Sequence, residues 1–131
     1  MKRVITFGTF DLFHIGHLNI IQRAAALGDS LTVGVSSDEL SFKKKGFYPL
    51  YSLRDRIAII SALKDVEFVF TEESMDFKRE YILSNHANIL VMGNDWNGKF
   101  DNFSDICKVI YLSRTDDIST SAIKERIRFP I

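Results

Sequence analysis

The sequence predicts an α/β domain of the Rossmann-like, doubly wound type, a five-stranded parallel sheet with helices on both faces. Three observations carry this reading. Short apolar runs recur at residues 4–7, 31–35, 66–70, 89–92 and 109–112, and each is apolar almost throughout, as strands covered on both faces are. Segments of helical spacing alternate with them. Only two prolines, Pro49 and Pro130, punctuate 131 residues, so connections are short and one domain is expected over 1–131.

The elements follow in order. The first strand ends at Gly8. A helix is expected over about 16–27, with Leu18, Ile21 and Ala25 on one stripe and Gly28 as its stop. After the second strand a loop carries Lys43-Lys44-Lys45. Ser52, with Asp55 three positions later, has the form of a capping box and opens a helix through Ile57, Ile60 and Leu63. Residues 77–83 read as helical, and a last helix is expected over about 120–128. In open parallel sheets ligands bind beyond the carboxyl ends of the strands, where the winding reverses. Gly8-Thr9-Phe10-Asp11, Gly93-Asn94-Asp95-Trp96 and Ser113-Arg114-Thr115 all follow predicted strands, and they are expected to converge on one edge.

Composition narrows the function classes. Seventeen basic and seventeen acidic side chains give zero net charge and a pI near 6.8, which lacks the electrostatic footprint of a nucleic-acid binder. The single cysteine, Cys107, forms neither an internal disulfide nor a thiolate metal cluster and is read as a small buried residue. No stretch approaches the ~18 apolar residues of a membrane span. A protein of a reducing compartment, the cytoplasm, is expected, with no nucleic-acid partner and no membrane insertion.

Four segments carry candidate chemistry. His14 and His17 are three positions apart at the start of the first helix, near one side of its first turn. Gly16 between them leaves room for a ligand, and the free N–H groups and positive end of a helix suit phosphate. Two imidazole donors added there stabilise charge that develops on a reacting polyphosphate. A zinc site is disfavoured, because zinc proteases space two histidines by four around a glutamate. The dinucleotide and P-loop glycine patterns are absent as well. Downstream, Arg114-Thr115-Asp116-Asp117-Ile118-Ser119-Thr120-Ser121 places three successive hydroxyls at a helix start, more than capping requires, and with Arg114 they form a second phosphate site. In the Gly93-to-Asp101 segment, Trp96 either packs or walls a ligand pocket, and Asp95 is placed to orient a hydroxyl or a metal-bound water. Lys43-Lys44-Lys45 is either a solvated run or a source of contacts to an anionic substrate, with Lys78 and Arg56 weaker candidates of that kind.

Gly8-Thr9-Phe10-Asp11 leading to His14-Ile15-Gly16-His17, with Arg114 through Ser121 about a hundred residues on, resembles the cytidylyltransferase family of the H-x-G-H nucleotidyltransferase superfamily. Residues Met92 through Asp101 resemble its bacterial glycerol-3-phosphate branch. The resemblance implies transfer of CMP from CTP to sn-glycerol 3-phosphate, giving CDP-glycerol and pyrophosphate for a cell-wall or other surface polymer. Related acceptors such as choline or ethanolamine phosphate, ATP as donor, or a non-catalytic nucleotide-binding module are the alternatives. By the family pattern His14, His17, Lys44 and Arg114 are catalytic. Thr9, Phe10, Ile15, Gly16, Gly93, Asp95, Thr115, Ile118, Ser119, Thr120 and Ser121 join them around the nucleotide. Asp11, Lys44, Arg56, Lys78, Asp95 and Trp96 face the acceptor. Mg²⁺ enters on the CTP phosphates rather than through protein ligands, and a homodimer is implied. Asn94 and Asn97 depart from the pattern, which has acidic residues there, and the pattern does not decide among Lys43, Lys44 and Lys45.

Overall fold

A computed structural model describes residues 1–116 and 118–130. Its core is a five-stranded, wholly parallel sheet in the order β3-β2-β1-β4-β5. The strands are β1 (Arg3–Gly8), β2 (Ser30–Ser36), β3 (Phe68–Glu72), β4 (Ile89–Gly93) and β5 (Lys108–Leu112). The helices are α1 (Ile15–Ala25), α2 (Asp38–Lys45), α3 (Leu53–Ser61), α4 (Lys78–Ser84) and α5 (Thr120–Arg128). From β1 the chain winds outward to β2 and β3, then returns to lay β4 on the other side of β1. The winding reverses between β1 and β4, so their carboxyl ends, Gly8 and Gly93, flank the crevice where a ligand belongs. Thr6 fastens that seam, its hydroxyl donating to the Val91 carbonyl at 2.6 Å.

The near-continuous apolar runs are explained by burial on both faces. On one face Val4, Leu31, Val33, Val35, Ile89 and Val91 pack with Ile21 and Ala24 of α1 and Ile60 of α3. On the other, Ile5, Phe7, Leu90 and Met92 pack with Ile82 of α4 and with Phe100 and Phe103 near the 3₁₀ turn Asp101–Asp105. The doubly wound sheet and the five predicted strands are present. β3 is displaced by two residues from its predicted span of 66–70, which places Glu72 at its carboxyl end. Cys107, one residue before β5, is half-buried rather than buried. Among the described residues no helix is long and apolar enough to cross a membrane.

One element corrects the sequence reading. The lysine run lies on a helix, α2, and not in a loop. Ser37 caps its amino end by accepting from Leu40 N, Asp38 and Glu39 occupy the first turn, and the three lysines occupy the last before Gly46 at φ 84°. That is the charge order a helix dipole favours, ended by a left-handed glycine. Apolar periodicity misses the helix because it buries only Leu40 and Ser41.

Candidate active site

The turn from β1 into α1 builds the first half of the site. Phe10 and Leu12 both take positive φ, 56° and 49°, an uncommon backbone for such side chains that tertiary packing must hold. The Asp11 carboxylate supplies part of that hold by accepting from the Leu50 and Tyr51 amides at 2.8 and 2.9 Å. His14 then caps α1. Its Nδ1 accepts from Gly16 N at 3.0 Å, and Nδ1 of His17 accepts from His14 N at 3.2 Å. With Nδ1 an acceptor in both rings, the neutral imidazoles carry their proton on Nε2 and donate from there. The rings stack at 3.8 Å between centroids, so the two donors act side by side.

Both imidazoles are held neutral. His17 is pushed down to about 3, by burial first and then by His14, with Lys45 and Arg114 adding and Asp11 opposing. His14 is lowered by burial and then by Arg114. Gly16 has a steric reason to be glycine: a β-carbon there would lie 2.8 Å from Cε1 and 3.0 Å from Nδ1 of His14, and 3.3 Å from Cγ2 of Ile118. Gly16→Ala is therefore expected to displace the His14 ring and lower turnover by ~10- to 100-fold while helix content stays native; steady-state rates beside circular dichroism check it.

The second half comes from the segment after β5. Asn19 and Arg23 of α1 hold it, donating to Thr115 Oγ1 at 2.9 Å and to the Ser113 carbonyl at 2.9 Å. Ser119 caps α5, accepting from Ala122 N. Thr120 Oγ1 donates to the Asp11 carbonyl at 2.8 Å, joining the two halves. Asp117 of the quoted motif lies outside the described residues.

Two adjoining cavities result. One, of about 280 Å³, is lined by Thr9, Phe10, His14, Gly16, His17, Gly93, Asp95, Arg114, Thr115, Ile118, Ser119, Thr120 and Ser121, with Lys45 and Trp96 at its wall. It unites both predicted phosphate segments. The other, of about 360 Å³, is lined by Lys44, Lys45, Glu72, Met75, Lys78 and Lys99, together with Thr9, Asp95 and Trp96. Thr9 faces both cavities, and its buried Oγ1 has no hydrogen-bond partner among the described residues. Arg114 and Asp95 pair at 3.1 Å at the edge of the first cavity. Trp96 both packs, against Phe100 at 5.3 Å, and walls the cavities, so the two readings of it are compatible.

Three predicted contacts are corrected. Arg56 is fully buried and four of its five N–H donors are engaged: it donates to the carbonyls of Tyr51, Thr9 and Ser36 and pairs with Asp38 at 2.6 Å. It faces neither cavity and ties α3 to the ends of β1 and β2. Asp11 lines the first cavity and not the lysine-rich one; it is 4% exposed and its carboxylate accepts from the 50–51 backbone, so it shapes the turn. Ile15 is 54% exposed and lines neither cavity.

The three lysines of the run take different directions, because residues successive on a helix are rotated by about 100°. Lys43 is exposed, Lys44 enters the second cavity and Lys45 reaches both. Sequence reasoning missed three residues that lie beside the site. Lys124 lies 4.0 Å from the Asp11 carboxylate and 4.5 Å above the Phe47 ring, and its signal was its place four residues after Thr120 on one helix face. Glu72 and Ser36 had no motif and emerge only from the register of β2 and β3, where they are paired.

The fold and this pair of helix-start sites define a nucleotidyltransferase, and a model of cytidylyltransferase-like proteins matches residues 5–126: the chain belongs to that family. Among its relatives, the glycerol-3-phosphate cytidylyltransferase of Bacillus subtilis (strain 168) is 44% identical over 128 residues, covering 97% of this chain and 98% of that protein. The protein of that name from Staphylococcus aureus (strain NCTC 8325 / PS 47) is 41% identical over 128 residues, covering 97% and 96%. A solved structure, that of the lipopolysaccharide core biosynthesis protein from Thermoplasma volcanium GSS1, superposes with a TM-score of 0.79 at 28% identity, covering 88% of this chain and 99% of that one.

Proposed function

We propose that the protein transfers CMP from CTP to sn-glycerol 3-phosphate, releasing pyrophosphate and yielding CDP-glycerol. The observation that carries this reading is the pair of adjoining cavities. One is a cradle of helix N–H groups, hydroxyls and two imidazole donors suited to a triphosphate; the other is a lysine-rich chamber suited to a phosphomonoester. Their shared wall of Gly8, Thr9, Lys45, Asp95 and Trp96 brings the two substrates together. The B. subtilis and S. aureus relatives, matched along nearly their whole length, support the choice of glycerol 3-phosphate.

An oxygen of the acceptor phosphate attacks the α-phosphorus in line, the bond to the bridging oxygen breaks, and pyrophosphate leaves with that electron pair. No covalent enzyme intermediate is required, so positioning and charge stabilisation carry the rate. His14 and His17 donate from Nε2 to the nucleotide phosphates, Arg114 leaves Asp95 for the triphosphate, and the hydroxyls of Ser119 and Thr120 lie at the start of α5 beside it. Lys44 and Lys78 hold the acceptor phosphate. Among the described residues no three of His, Cys, Asp and Glu are grouped to hold a metal ion. Mg²⁺ carried on the nucleotide suits this donor set, since it keeps mostly phosphate and water oxygens and leaves Asp95 as the accessible carboxylate nearby. When bound, Mg²⁺ neutralises phosphate charge. A cytoplasmic homodimer supplying CDP-glycerol for surface-polymer synthesis completes the reading.

Pyrophosphate release across a panel of nucleotides and phosphorylated alcohols tests it. CTP with glycerol 3-phosphate is expected to turn over fastest. Faster turnover of choline or ethanolamine phosphate, or of ATP, rejects the specific pair while leaving the reaction type standing.

A further inference from the structure

A buried relay lies beneath the lysine-rich cavity. Glu72, at the carboxyl end of β3, is 0% exposed. One carboxylate oxygen accepts from Lys78 Nζ at 2.6 Å, and the other accepts from the Ser36 hydroxyl at 3.3 Å. The same hydroxyl accepts from Lys44 Nζ at 2.8 Å. Ser36 is itself fully buried at the end of β2, and Lys78 Nζ lies 3.7 Å over the Phe7 ring. One carboxylate thus serves two ammonium groups that arrive from different elements, α2 and α4. Neither ammonium is exhausted by these contacts, since each has three donors and makes one hydrogen bond here.

We propose that Glu72, acting on Lys78 directly and on Lys44 through the Ser36 hydroxyl, is the positioning residue that makes this cavity a phosphomonoester site. The inference rests on the function proposed above and deepens it. A buried ammonium with no anionic partner gives up its proton; the Glu72 carboxylate keeps both lysines protonated and aimed while the site awaits its phosphate. The charges facing Lys44 are Glu72 from β3, Lys78 from α4, Lys45 from its own helix and Arg56 from α3, with Asp95 and Lys99 also lining the cavity. Lys44 is pushed down to about 8, by burial first. Glu72 opposes that fall, while Lys78, Lys45 and Arg56 add to it. Lys78 is lowered by burial against the same opposing Glu72.

The sign of the pH dependence follows. The protonated form of Lys44 binds phosphate, so kcat/KM for the acceptor falls as pH rises through about 8. Glu72→Gln keeps the shape and removes the charge that holds the proton, so this alkaline limb moves to lower pH. In that variant, KM for glycerol 3-phosphate at pH 8 is expected to rise by on the order of tenfold, with KM for CTP within about twofold of wild type. Ser36→Ala removes only the bridge to Lys44 and leaves the Lys78 pair, so it serves if Glu72→Gln does not fold; the same limb is expected to shift, with a smaller rise in KM. An unmoved limb, or equal losses for CTP and acceptor, overturns the proposal. If wild type shows no turnover with glycerol 3-phosphate, the substrate assignment is what fails, and the same comparison is made with whichever phosphomonoester of the panel reacts.

Discussion

His17→Ala is expected to lower kcat by on the order of a hundredfold or more, the usual consequence of losing one preorganised donor at a developing charge. The His17 ring rests between Phe10 and Phe13, at 5.5 and 5.4 Å between centroids, and its Nδ1 is fixed by the His14 amide. The donor at Nε2 is thereby aimed before substrate arrives, and no reorganisation is needed during the reaction. Because burial holds the ring neutral down to about pH 3, the donor is a neutral imidazole throughout the working range. His17→Asn separates donation from packing, since it offers an N–H without the aromatic ring. Steady-state kinetics at saturating CTP and acceptor provide the check; a kcat within a few-fold of wild type for the alanine variant contradicts the proposed role.

Arg56→Met is expected to act on a different quantity. It leaves the Asp38 carboxylate without its partner, and the carbonyls of Thr9, Ser36 and Tyr51 lose their donors. Each buried carbonyl left without its donor costs roughly 1–3 kcal/mol, and for a domain of this size two of them lower Tm by on the order of 10–20 °C. Urea and thermal unfolding measure it. A variant of native stability whose only change is a raised KM for the acceptor restores Arg56 to the substrate contacts and removes it from the scaffold.

These two arginine and histidine cases mark how far the sequence could be read. The alternation of apolar runs and amphipathic segments was enough for the sheet, since burial on both faces leaves a direct trace in composition. The two nucleotide segments were legible because each lies at a strand-to-helix passage, where free N–H groups and capping side chains are local in sequence. Arg56 and Asp11 were misplaced for the opposite reason. A charged residue is read from sequence as solvent- or substrate-facing, and only tertiary structure reveals that four backbone or side-chain acceptors surround the guanidinium. The helix bearing the lysines was hidden because charge order and caps define it, with little apolar stripe. Glu72 left no trace at all, because its partners Ser36, Lys44 and Lys78 belong to three other elements.

The adjoining cavities have an electrostatic consequence for the whole molecule. Their walls carry two more cationic than anionic side chains, and the chain is neutral overall, so the rest of the chain carries two more anionic than cationic ones. The crevice is therefore a local excess of positive charge on a neutral chain. A nucleoside triphosphate arriving at the mouth is drawn in by that local excess. Capture depends on this local field and not on any overall attraction, and added salt weakens it once the screening length falls to about 8 Å.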